Sequence, residues 1–154
     1  AYVVRAVPAS GCISGDSNVA VPTASGTCTT DPFFVGVRSV ASPPDTTCTL
    51  DLNWDEGGAR CPGSTLRYNI YRSTDAGFTP STDNAIALDV SGTAYRDQNN
   101  LVSGLTYYYV VRAEDSTLTG DGPAHGGNED DNLVRRSGSP LGILAEGPDF
   151  NDDL

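Results

Sequence analysis

The sequence predicts an all-β protein, a sandwich of two antiparallel sheets. Three observations carry this. First, the stretch Leu101 to Asp115, LVSGLTYYYVVRAED, alternates from Tyr107. Tyr107, Tyr109, Val111 and Ala113 fall on one face, and Tyr108, Val110 and Arg112 on the other. A period of two in residues rich in Tyr and Val marks a strand. Second, 17 Gly and 10 Pro are spread along 154 residues, the apolar runs are short, and no window keeps a helical period. That is the composition of many short strands joined by turns. Third, the word YVVRA occurs twice, at Tyr2–Ala6 and at Tyr109–Ala113, 107 residues apart. The offset is about one sandwich domain of ~100 residues, so the chain opens in the middle of a domain-sized repeat.

Taken in order, Ala1 to Val7 is predicted as a strand with Tyr2, Val4 and Ala6 inward and Val3 and Arg5 outward. A Gly/Ser-rich loop with Cys12 follows, then a short strand at Val19–Val21 and a return through Cys28. Residues 1–30 thus read as the last two strands of a sandwich, a partial unit able to exchange strands, because a lone hairpin is marginal in water. Asp31 and Pro32 mark a boundary, and residues 31–140 form the main sandwich. Phe33 to Val40 becomes its first strand. Thr47 to Trp54 is the second, with Leu50, Leu52 and Trp54 inward. Leu66 to Ser73 is the third, with Tyr68 and Ile70 inward and Asn69 and Tyr71 outward. Ala85–Val90 and Thr93–Arg96 flank a Ser-Gly turn, the Tyr107 strand is sixth, and Asn132–Arg136 closes the domain after a Gly/Asp/Asn-rich loop. Residues 141–154 are an extended tail with one apolar stretch and an acidic end.

Seven strands at this spacing suit a sandwich. The LNW of the second strand, the YNIYRS of the third and the L-x-x-G-x-x-Y-x-Y-x-V-x-A of the sixth resemble a fibronectin type III domain, an immunoglobulin-like β-sandwich, of the kind found in large secreted bacterial proteins. The resemblance spans roughly residues 36 to 138. It implies that Trp54 is the core tryptophan and that the Tyr107 hydroxyl ties the corner before the sixth strand. Ser103 stands where the family usually has Pro before Gly104. The family is a scaffold for spacing, adhesion and assembly, and it implies no chemistry of its own.

The net charge is −11, and all nine basic residues are Arg. A surface so acidic argues against nucleic acid, whose phosphates need basic partners. No run approaches the ~20 apolar residues of a membrane span, and no charged-then-apolar start marks a signal peptide. The four cysteines, Cys12, Cys28, Cys48 and Cys61, show no close pair of the zinc-binding kind. Two local bridges, Cys12–Cys28 and Cys48–Cys61, are the simplest of the three connectivities, and bridges imply an extracellular or cell-surface location.

Enzyme signatures are lacking. The single His, His125, lies in a Gly-rich loop, and no nucleophile elbow, HExxH or phosphate-binding loop occurs. No Asn-x-Ser/Thr sequon is present, and surface glycans enter only as partners. Asp121, Glu129, Asp130 and Asp131 are candidate calcium ligands, as are the acidic residues of the tail, Asp149, Asp152 and Asp153. Neither cluster matches an EF-hand loop, and solvated carboxylates are the simpler reading, so no cofactor is expected. Tyr71, Tyr108 and Val110, outward on neighbouring strands, form a candidate contact patch.

The functional expectation is a non-enzymatic structural protein, a subunit of an extracellular bacterial fibre or adhesive array. Copies would join head-to-tail as a homopolymer by strand complementation. The assembly residues would be Tyr2, Val4 and Ala6 at one end and Leu141, Ile143 and Leu144 at the other, with the Tyr71–Tyr108–Val110 patch. The alternative is a spacer or accessory module of a large secreted hydrolase or protease, with carbohydrate binding as an added role.

Overall fold

The computed structural model describes residues 2–5, 7, 16, 17, 19 and 26–142. Seven strands follow in chain order: β1 (Val37–Ala41), β2 (Leu50–Trp54), β3 (Leu66–Ser73), β4 (Ala85–Val90), β5 (Ala94–Asp97), β6 (Tyr107–Asp115) and β7 (Arg135–Gly138). They form two antiparallel sheets, ordered β1-β2-β5 and β4-β3-β6-β7. The longest ladder joins β3 to β6, from Leu66 opposite Asp115 to Ser73 opposite Tyr108. Strands β3 and β6 are thus the central strands of the larger sheet.

The inward faces meet in one core. Leu50, Leu52 and Trp54 of the small sheet pack against Tyr68, Ile70, Tyr107, Tyr109, Val111 and Ala113 of the large one. Each of these was placed inward by alternation, and each is buried. Phe34 and Trp54 both lean on Tyr68, with ring centroids 5.1 and 5.3 Å away, a spacing at which tilted aromatic rings attract. The Tyr68 hydroxyl is not left bare, for it accepts the Gly57 N–H at 2.9 Å.

Two polar ties hold the sheets at the opposite end. Asp97, at the end of β5, is buried and accepts from Arg72 of β3 at 2.7 Å and from the Tyr109 hydroxyl of β6 at 2.8 Å. The Arg72 guanidinium also lies 5.2 Å over the Tyr107 ring. The Tyr107 hydroxyl accepts the Val102 N–H at 2.9 Å and so fixes the turn that feeds β6. Burial, and then the bond to Asp97, raise the Tyr109 hydroxyl far above its ordinary pKa. Tyr109 therefore stays a donor.

Three expectations are corrected. The cysteines do not pair locally. Cys28 is bonded to Cys61 with Cα atoms 5.7 Å apart, and Cys48 is unbridged among the described residues; Cys12 lies outside them. The reason is strand geometry. Cys48 precedes β2 and Cys61 follows it, so a strand of five residues, about 13 Å, separates them, beyond the reach of one bridge. Cys61 instead meets the incoming chain, and Cys28 is held there further by Thr119 and Asn128, which both donate to its carbonyl. Next, Val3 to Arg5 and Val7 carry no strand, and Tyr2 takes part only in an isolated bridge; Val19, expected in a strand, has none either. A strand needs a neighbour to bond with, and these residues are exposed. Finally, Tyr71 and Val110 are not at the surface: both are buried.

Trp54→Ala is expected to destabilise the chain by about 3–5 kcal/mol, measured by urea unfolding. A loss below about 1 kcal/mol would mean that the indole is not part of the close-packed core.

Candidate functional site

The outer face of the large sheet is where alternation and structure part. Alternation gives its residues as Asn69, Tyr71, Tyr108, Val110, Arg112 and Glu114, a mixed set suited to water. The chain covers it twice. Phe78, in the excursion between β3 and β4, packs on Tyr71 and Val110 and touches half-buried Tyr108. Arg135 stacks 5.0 Å from the Phe78 ring and donates to its carbonyl. The other half lies under residues 116–131, the segment joining β6 to β7.

That cover is held by carboxyl groups from the end of β6. Glu114 is 1% exposed. It accepts the backbone N–H groups of Ala124, His125 and Gly127 at 2.8–3.1 Å, and the Asn69 amide at 2.7 Å. Asp115 takes the Asn128 and Thr117 N–H groups and both of their side chains. Asp130 answers from the loop, accepting the Ala113 N–H while the Asp130 N–H donates to the Ala113 carbonyl. The glycines make room. A Cβ at Gly127 would sit 1.8 Å from the Asp115 carbonyl oxygen, and one at Gly122 would sit 2.2 Å from the Glu114 carboxyl carbon.

Glu129 completes the network. It accepts from Asn69 at 2.7 Å, from the Tyr71 hydroxyl at 2.6 Å and from Arg112 at 3.3 Å. Burial, then Glu129, push the Tyr71 hydroxyl well above its ordinary pKa. Burial also drives Asp130 up, against the hydrogen bonds it accepts. Asp115 goes the other way: burial raises it, but its bonds from Asn128 and Thr117 prevail and hold it below the ordinary carboxyl value.

The four candidate calcium ligands do not converge. Glu129 faces β3, Asp130 is turned to the β6 backbone, and Asp121 and Asp131 are exposed. Among the described residues no group of three or more His, Cys, Asp or Glu is placed to hold a metal ion. His125 is exposed and pairs with Asp89 at 2.9 Å. Chemically, this face is a set of acceptors already matched with donors.

The predicted assembly residues divide differently. Tyr71 and Val110 belong to the covered face. Ala6, Ile143 and Leu144 lie outside the described residues. Leu141 keeps its side chain exposed while its backbone bonds Cys48 and Ser42. It borders a cavity of about 540 Å³ with Pro44, Thr46, Thr47 and Ser103. Tyr2 and Val4 are 68% and 72% exposed, whereas Tyr109 and Val111, the same places in the repeated word, are both 0%. No protein-family model matches the chain, and no curated protein does. Sequence reasoning found the word; it missed Glu114, whose only signal was a second acidic residue beside Asp115 at the end of a strand.

Glu114→Ala is expected to cost about 3–5 kcal/mol, since it strands three backbone donors and an amide. Hydrogen exchange across residues 116–131 should accelerate more than exchange in β2. Acid should weaken the same latch. A carboxyl held below its unfolded pKa of ~4 gives stability that is full above that value and is lost as pH falls through the folded pKa. Asp115→Asn should therefore be less stable than the parent at pH 7 and lose less on going from pH 5 to pH 2.5, as followed by thermal melts.

Proposed function

We propose that this chain is a non-enzymatic structural module of an extracellular fibre or adhesive array, joined lengthwise to neighbours by strand complementation at its N-terminal segment. One observation carries the reading: Tyr109, Val110 and Val111 are buried between strands in β6, while Tyr2, Val3 and Val4, the same places in the repeated word, are exposed. Burying such side chains is worth ~1.5–3 kcal/mol for each large one, so a neighbour that covers them gains binding energy. The fibronectin type III resemblance supports the reading, as do the strand order and the Tyr107 corner. So does the chemistry of the covered face, where Glu114, Asp115, Glu129 and Asp130 are all engaged in holding the chain. The Cys28–Cys61 bridge and the acidic surface suit an extracellular setting.

The polarity of the domain fits a lengthwise array. Cys28 is fixed at the Cys28–Cys61 end, where β2 finishes and β3 starts, and Leu141 lies at the other end, beside Ser42 and Cys48. A contact between opposite ends does not close on itself and propagates. In the fibre reading separate copies join as a homopolymer. A second reading, consecutive spacer modules of one large secreted protein, is favoured by the 107-residue offset of the repeat.

Electron microscopy of the native material tests this: filaments or strings of evenly spaced domains are expected, and dispersed compact particles would overturn it. Deleting residues 1–25 keeps Cys28 and its bridge. The truncated chain should remain folded and melt within a few degrees of the parent, yet no longer assemble. Unchanged assembly after the deletion would rule out the N-terminal segment as the joint.

A further inference from the structure

The repeated word extends to its hydrogen bonds. In β6 the third residue, Val111, has its carbonyl capped by the Asn132 amide, 21 residues downstream. At the N-terminus the third residue, Val4, has its carbonyl capped by the Ser17 N–H, 13 residues downstream. The arginine that follows holds a carboxylate of the returning chain in both places: Arg112 with Glu129, and Arg5 with Asp16. The two copies thus share a local design, a YVV-Arg segment whose returning chain caps it 21 residues on in β6 and 13 residues on at the N-terminus.

They differ in what lies on the other side. In β6, Tyr109, Val110, Val111 and Arg112 stand opposite Arg72, Tyr71, Ile70 and Asn69 of β3. Tyr109 also reaches Asp97 of β5. No described residue covers Tyr2, Val3 and Val4 in this way, and they are 45–72% exposed. An intact copy of this sandwich cannot supply that cover, because its β3 already lies between β4 and β6.

We infer that residues 2–5 are the β6-type edge of a second sandwich, and that their partner is an incomplete sandwich. That partner carries strands of the β1–β5 type and leaves a β3-like strand open on one side. This rests on the lengthwise reading above and favours its second form, consecutive units of one longer protein, over a homopolymer of intact copies: the neighbour that fits is a five-stranded remainder, not a finished domain. Recognition would be a backbone ladder along Tyr2–Arg5. An Asn-Ile-Tyr-Arg-like strand would lie opposite, and a buried carboxyl would meet the Tyr2 hydroxyl as Asp97 meets that of Tyr109.

The test compares the full chain with the same chain carrying residues 31–108 of its own sequence, with Cys61→Ser, joined ahead of Tyr2, so that the word at residues 2–6 stands where Tyr109–Ala113 stands after β1–β5. Amide hydrogen exchange is read by mass spectrometry on the peptide covering residues 2–7 in both chains. Protection is expected to rise by about tenfold or more in the extended chain. The rise should vanish in the extended chain with Val4→Asp, a change that leaves the melting of the full chain alone unaltered because Val4 is exposed. Two results would overturn the inference: no gain in protection, or a gain that Val4→Asp leaves intact. Protection already present in the full chain alone and rising with its concentration would also overturn it. That last result would keep the lengthwise reading while making an intact copy the neighbour, so the two ideas fail separately.

Discussion

A carboxyl group enclosed by protein must find donors, or it destabilises the fold by several kcal/mol. Glu114 meets that requirement by gathering three backbone N–H groups from a single loop and one amide from β3. The rest of the large sheet depends on this. With the loop in place, Asn69, Glu129 and Arg112 are enclosed and matched, and β3 and β6 are sheltered on both faces. Without it, a row of polar side chains built for the interior would face water from the middle of a sheet. The glycines at 122 and 127 are the steric condition for the arrangement, since any side chain there would collide with the groups that anchor the loop.

The inward face was legible because alternation is a geometric necessity of a strand. Leu50, Leu52, Trp54, Tyr68, Ile70, Tyr107, Tyr109 and Val111 could be placed without knowing which strand pairs with which. The outward face was not, for a physical reason. Alternation says which residues share a side, but not whether the chain later folds over that side. Tyr71 and Val110 are covered by Phe78, which comes from a polar excursion with no periodicity. Glu114 and Asp115 look like solvent-facing acids until the donors of residues 117–128 are brought to them.

The cysteines teach the same lesson at longer range. Nearness in sequence favours Cys48 with Cys61, yet a strand between two loops sends them to opposite ends of the sandwich. The observed bridge joins loops that share an end, separated by 33 residues. The N-terminal word shows the converse: the letters that form a strand in β6 form none at residues 3–5, because alternation makes a strand only where a neighbour pairs with it.

The position of that bridge also sets how the domain would carry a load. If the chain is drawn out lengthwise, tension arriving at Cys28 crosses directly to Cys61 and continues into β3. Residues 29–60, with β1 and β2, lie inside the closed loop and bear none of it. About 110 Å of extended chain is thereby withheld from stretching for as long as the bridge is intact. In an oxidising medium the module would behave as a stiff link. Under reduction the same strands would become slack, giving one sequence two very different extensibilities.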